Sequence, residues 1–534
     1  MEQADSRLIA CEVSTPTEQS TAGYQPGYQP NATRFSVSVV WGEWSIWPFN
    51  ISLDISLVIR YSLVDGSIDQ ITTTEIGSQA STVGDSSSPA VKGVLDIFCK
   101  AASAEFFQQL RQELGLKTRR CVYDLPLVIW LMTVQRWDGK GTLSTGVQQV
   151  VEQRPAALLG NHKRIREGKL SVHTGAYSDA RQKMPVVAAE RVADRVFEEL
   201  MQRRQAALEG WERRVFVLDG SSVELPHSEE LVAAYPPGSN QHGESHWPVL
   251  RVLVAQELTT AFAGRPCWGP MYGSKAVSEQ ALTERILDRL PDRSVLMGDI
   301  NFGVFTVVFA ATQRRHDVLF RLQESRAQAL GGGLPLTPGT DRKIVWRPSA
   351  WERKHHPDLP PAACVWGRLI VEQVTASDGK SMLLYFFTTL DLGVEQILEL
   401  YGQRWDVETD IRSLKHMLHL DMLRCQSPDM IAKELMLTLT GYNLVRAVMN
   451  EAAKQNHLNP RRLSFSRSQD VVNAALPGLD AAPSPAQYQE RVQRMIQRVA
   501  CCKLPDRSQR RPCPRAIWGH GSKFPKRKAL TQET

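Results

Sequence analysis

The decapeptide RRVFVLDGSS, Arg213–Ser222, sets four consecutive apolar residues, Val215 to Leu218, directly before an aspartate and a glycine. A run of that length without polar alternation suits a strand buried on both faces, and it ends by presenting Asp219. RSVLMGDINFG, Arg293–Gly303, repeats the pattern, with Val295 to Met297 leading through Gly298 to Asp299. In open α/β sheets, binding sites lie beyond the carboxyl ends of strands. If these two strands are parallel neighbours, about 4.8 Å apart, both carboxylates reach one cation. Read singly, each Asp also suits the start of a turn, because strand-Asp-Gly is common punctuation.

Further along, YGQRWDVETDIRSLK, Tyr401–Lys415, spaces Tyr401, Arg404, Glu408 and Lys415 by three, four and seven residues. On a helix turning about 100° per residue these four fall within an arc of roughly 60°. A second stripe, Leu400, Val407, Ile411, Leu414 and Leu418, is offset by about a quarter turn and can bury against a sheet. The polar row then offers one metal-binding carboxylate flanked by phosphate-binding groups. On its own the same pattern also describes a surface helix whose Glu408 pairs with Arg404 or Arg412 in solvent.

Together these six residues resemble the DDE transposases of the insertion sequence 4 family, whose signature is Y-x2-R-x3-E-x6-K. The spacing matches at every signature position. The likeness runs from about Val94 to about Val448 and includes FFQQLRQELGL, SVHTGAYSDARQKMP, SEQALTERIL and YGQRWDVETDIRSLKHMLHLDMLRCQSP. One departure stands at the second aspartate, where the family often has an Asp-Arg-Gly-Phe-like sequence and this chain has Asp299, Ile300, Asn301 and Phe302.

The resemblance implies an α/β ribonuclease-H-like catalytic core interrupted by a β-strand-rich insertion domain, with a helical N-terminal DNA-binding region. It implies Asp219, Asp299 and Glu408 as catalytic metal ligands, and Tyr401, Arg404 and Lys415 as DNA-binding clamps on phosphates near a flipped base. The cofactor implied is Mg2+, with Mn2+ able to substitute, as two ions. The partners implied are double-stranded DNA at terminal inverted repeats, target DNA and a second copy of the chain in a synaptic homodimer. Three carboxylates without His or Cys partners fit such hard ions better than zinc.

Composition agrees with a polyanionic partner. Residues 1–91 hold ten acidic and three basic side chains, so the net charge of +6 leaves +13 for residues 92–534. Nine cysteines without a Cys-x-x-Cys pair give neither a disulfide framework nor a zinc signature. The start MEQADSRLIA lacks a secretory pattern, and the longest apolar run, Leu125 to Val134, contains Pro126 and is far shorter than the roughly 20 residues that span a bilayer. The expectation is a cytoplasmic protein without a membrane segment.

Five regions follow. Residues 1–91, with a repeated GYQP and a Trp-rich stretch, form an atypical extension outside the resemblance. Residues 92–205 show helical periodicity, and Lys117, Arg119, Arg120, His162, Lys163, Arg164, Arg166 and Lys169 are candidate phosphate contacts. Residues 206–322 and 391–460 make the core, with LRVLVAQEL and TTAFAGRPCWG as an antiparallel pair. Residues 323–390 are the β insertion. Residues 461–534 read as a basic tail, in which Lys503 to Lys528 carry nine basic residues and one acidic one.

Three other functions compete. A ribonuclease-H-like DNA nuclease needs the carboxylates but not the Tyr-Arg-Lys row. An inactive DNA-binding transposase descendant would lose a carboxylate, and all three are present. A glycosidase would use two acids and leave Arg404 and Lys415 unexplained.

Overall fold

The computed structural model describes residues 92–504 apart from 117–120, 139–140, 203–210, 212, 241–242, 376–380 and 405–422. The strands are β1 Val215–Glu224, β2 Pro237–Asn240, β3 Gly243–Glu257, β4 Cys267–Pro270, β5 Val295–Gly298, β6 Asp317–Arg321, β7 Thr340–Trp346, β8 Val365–Thr375 and β9 Ser381–Thr388. They form one mixed sheet in the order β2-β3-β1-β5-β6-β9-β8-β7, with β4 also paired to β3.

The two apolar runs form adjacent parallel strands, as their composition leads one to expect. β1 and β5 pair with Val217 opposite Met297, and β6 extends the parallel set with Gly298 opposite Phe320. β3 runs antiparallel to both β1 and β4, with Leu253 opposite Cys267. The expected strand, strand, strand, helix, strand, helix, strand order is present, with the helix Glu229–Ala234 and β2 added between the first two strands. This mixed sheet with helices on both faces fits a ribonuclease-H-like core.

Side chains alternate across a strand. Val215 and Val217 of β1, Val295 and Met297 of β5 and Leu319 of β6 therefore face one way, where Ile397, Leu400 and Tyr401 of the helix Val394–Gly402 cover them. Phe216, Leu218, Leu296 and Phe320 face the other way, into the larger core. Through that core runs the helix Pro428–Gln455, buried continuously from Ile431 to Met449.

The helices Val94–Ala101, Leu125–Val134 and Val186–Met201 pack against this central helix, so the helical region expected for 92–205 shares the core's interior. Charged residues on the central helix are buried with partners. Glu434 Oε1 lies 2.5 Å from Arg136 Nη1, its Oε2 accepts the backbone N–H of Arg424 and Cys425, and Lys433 donates to the carbonyls of Arg181 and Gln182.

Two regions differ from the sequence reading. The strands expected within 323–390 are present as β7, β8 and β9, and β9 pairs antiparallel with β6, so they continue the sheet. The segment read as a tail from 461 begins with two packed helices, Phe465–Asp480 and Pro485–Ala500, whose Val472, Val492, Met495, Ile496 and Val499 are buried. Residues 1–91 and the basic stretch from 505 lie outside the described residues.

Candidate active site

β1 outlasts its parallel neighbour. Its pairing with β5 ends at Val217–Met297, whereas its pairing with β3 continues to Glu224–Val249. Asp219 follows Val217 by two residues and Asp299 follows Met297 by two, so continuing the register sets the acids level with each other just beyond the carboxyl end of the β1–β5 pairing. The turn after β5 fixes Asp299. Its carbonyl accepts from Phe302 N at 3.2 Å and its Oδ1 from Asn301 N at 2.9 Å. Phe302 is buried over Gly298, where an added Cβ would sit 2.7 Å from the ring. The departure from the family's sequence at Ile300 and Asn301 thus leaves both the aspartate and the buried phenylalanine in place.

The charge of Asp299 acts on Asp219. Burial, followed by the charges of Asp299 and Glu279, pushes the Asp219 carboxyl up to about 6, against a backbone hydrogen bond from Gly220 and the charge of Arg404. Burial therefore outweighs the hydrogen bond that favours the ionised form.

Tyr401 lies in the last turn of the helix Val394–Gly402, 5% exposed, with its ring 4.7 Å from that of Phe386. Arg404 follows in a turn, also buried, and its guanidinium sits 5.5 Å from the Tyr401 ring centre. Burial raises the phenol pKa; Arg404 and Arg321 oppose that rise and Asp299 adds to it. Asp219, Asp299, Tyr401 and Arg404 therefore share one electrostatic neighbourhood. The helix described here ends at Gly402, so the first two members of the expected row sit on a helix end and its following turn. Glu408 and Lys415 lie outside the described residues.

Among the described residues, no three His, Cys, Asp or Glu side chains are grouped so as to hold a metal ion. Asp219 and Asp299 supply hard oxygen donors of the kind Mg2+ takes, and further ligands have to come from other residues or water.

Two neighbours escaped the sequence reading. Glu279 opens the helix Glu279–Leu287, capped by Ser278, whose Oγ accepts from Ala281 N at 3.1 Å. Its signal was the Ser-Glu start of a helix between two core strands. Arg321 ends β6, the third parallel strand, where a strand-terminal cation after an apolar run was the available signal.

Of the candidate phosphate contacts, Lys163, Arg164, Arg166 and Lys169 are exposed on or just after the short helix Lys163–Arg166, and Lys163 and Lys169 both approach Glu167. Lys117, Arg119 and Arg120 lie outside the described residues. No helix among the described residues is long and apolar enough to cross a membrane.

Residues 210–444 match the family model described as a transposase DDE domain. The chain is also similar to the transposase InsG for insertion sequence element IS4 of Escherichia coli (strain K12), with 24% identity over 425 residues covering 77% of this chain and 88% of that protein. The matched span contains β1, β5 and the helix carrying Tyr401. Over these residues the chain is therefore similar to the DDE transposases, and over most of its length to a transposase of insertion sequence element IS4.

Proposed function

We propose that this chain is a transposase that cuts DNA at the ends of its insertion sequence and joins the freed ends to a target, with Asp219, Asp299 and Glu408 as ligands for two Mg2+ ions. The observation that carries the reading is the pair of aspartates level with each other just beyond the parallel pairing of β1 and β5, with Arg404 and Tyr401 beside them. Two bound divalent ions would supply an activated hydroxyl and stabilise the leaving oxygen of an in-line displacement.

The chain's own residues supply position and charge. Asp219, raised in pKa by burial and by its acidic neighbours, is relieved when a cation arrives. Arg404, packed on Tyr401, presents a guanidinium suited to bidentate phosphate contact. Tyr401 has little freedom to move, being wedged against Phe386. Together with Lys415 they hold the phosphates around an extruded nucleotide, so that the 3′-hydroxyl released by the first cut turns onto the opposite strand and closes a hairpin. Helices within residues 92–205 recognise the inverted repeat, and two copies of the chain pair the ends.

The test uses a labelled duplex carrying the terminal inverted repeat, incubated with the full chain in Mg2+ or chelator and resolved on a denaturing gel. The reading expects Mg2+-dependent nicks at the repeat end followed by hairpins, with both lost in Glu408→Gln. Cutting that persists in chelator, or that ignores the repeat, overturns it. Nicks without any joined product would leave a nuclease.

A further inference from the structure

The helix Glu279–Leu287 begins against the candidate site with a carboxylate that the three expected acids do not include. Gly220, next to Asp219 on β1, lies directly beneath it. A Cβ added at Gly220 would meet Glu279 Oε1 at 2.1 Å, Cδ at 2.4 Å and Cγ at 2.9 Å. Any larger residue at 220 would displace the acid, so the glycine following Asp219 serves as its seat.

The start of the helix is fastened on both sides of the site. Arg251 of β3 donates to the Val277 carbonyl at 3.1 Å, and Gln280 Nε2 donates to the Asn301 carbonyl at 2.8 Å, within the turn that orients Asp299. The Asn301 side chain partly offsets the burial that raises the Glu279 carboxyl. Glu279 adds to the negative field at Asp219, and Asp299 adds to the field at Glu279, while Arg251 offsets part of it. The charges of Asp299 and Glu279 both disfavour the ionised form of Asp219, yet the fold seats Glu279 against the adjoining Gly220. Mg2+ keeps several of its waters when protein-bound, and acceptors beyond the direct ligands orient those waters.

We propose that Glu279 is a further acid of the cation site, a positioning residue that accepts hydrogen bonds from ion-bound water beside Asp219 and Asp299, with Gly220 admitting it. This deepens the reading given under Proposed function and rests on it.

The test is calorimetric titration of Mn2+ into the full chain without DNA, comparing wild type with Glu279→Gln, Glu279→Asp and Asp219→Asn. Thermal unfolding of each in chelator serves as the fold control. Asp219→Asn should lose measurable binding. Glu279→Gln, nearly isosteric, should weaken it by about 10- to 100-fold, the range typical of groups that orient metal ligands. Glu279→Asp, which keeps the charge with a shorter reach, should recover part of the loss. Binding by Glu279→Gln within about threefold of wild type, with Asp219→Asn defective, overturns the role of Glu279 alone. If Asp219→Asn binds like wild type, the cation reading itself fails and takes this inference with it. Should Glu279→Gln also unfold early, Glu279→Asp decides: recovered Mn2+ affinity supports the role, and no recovery rejects it.

Discussion

The two ends of the parallel strands solve opposite electrostatic problems. At the amino ends, acids and arginines neutralise each other: Arg213 Nη2 lies 2.6 Å from Asp317 Oδ2 and also donates to the Arg293 carbonyl, and Arg314 Nε lies 2.5 Å from Asp288 Oδ1. A cleft of about 1270 Å3 opens there, lined by Arg213, Arg214, Asp288, Arg289 and Asp317 among others. At the carboxyl ends, burial raises the carboxyls of Asp219 and Glu279, the charge of Asp299 adds to both, and that of Glu279 adds at Asp219. The cleft lies at the first end and the crowded acids at the second. Like charges fixed side by side are costly unless a ligand relieves them, so the second end has the features of a site.

Changing an acid at each end should break this contrast most sharply. Asp299→Asn is expected to lower cleavage of the repeat duplex by more than about a thousandfold, on the order of 4 kcal/mol in barrier, with gel-shift affinity kept. Asp317→Asn should leave the rate within about twofold and cost at most roughly 1 kcal/mol in a urea melt, as for other partly exposed ion pairs. Comparable losses at the two ends would remove the distinction.

The pKa of Asp219 gives a second handle. Its rise from 3.8 to about 6 means that the folded chain holds the proton more tightly than the unfolded chain. That contribution is present below about pH 4 and is lost as pH climbs through about 6. In chelator, Asp219→Asn should match wild-type stability near pH 4 and exceed it near pH 7 by up to about 3 kcal/mol, read from urea midpoints. An Asn variant less stable than wild type at neutral pH would contradict the crowded-acid picture.

Smaller effects sharpen the role of the cations facing those acids. Arg404→Ala should slow hairpin closure by about 10- to 100-fold while nicking changes little, as expected for a charge-assisted contact worth roughly 1.5–3 kcal/mol. Tyr401→Phe, losing one neutral hydrogen bond of about 1 kcal/mol, should slow the same step by about fivefold. Quantifying both products on one gel separates the steps. Equal slowing of nick and hairpin would make Arg404 a general binding residue.

The parts of the fold carried by local pattern were legible. The apolar tetrad before Asp219 and its counterpart before Asp299 revealed buried parallel strands, and the pairing of β3 with β4 followed from two adjacent strand-like runs. Long-range pairing was harder to read. Nothing local in SMLLYFFTT says that β9 will join β6 and make the insertion strands part of one sheet. The helices after 461 were hidden by their charge, because Arg491, Arg494 and Arg498 share the helix Pro485–Ala500 with its buried Val492, Met495 and Val499.

Burial of Glu434 and Arg446 on the central helix also ran against composition. Each is resolved by a distant or stacked partner, Arg136 for the first and the rings of Tyr442 and Phe465 for the second. At the site, the aspartates were visible because their strands are. Glu279 was not, because its proximity depends on a glycine seat and a helix start that meet only in the folded chain.

Iron-directed backbone cleavage tests the central claim most directly. Fe2+ is substituted for Mg2+ in the full chain, and ascorbate with peroxide generates hydroxyl radicals at the bound ion. The account predicts cuts close to Asp219, to Asp299 and to Glu408, all suppressed by excess Mg2+. Cuts clustered at the opposite end near Arg213 and Asp317, or cuts at the two aspartates with none near Glu408, would contradict it.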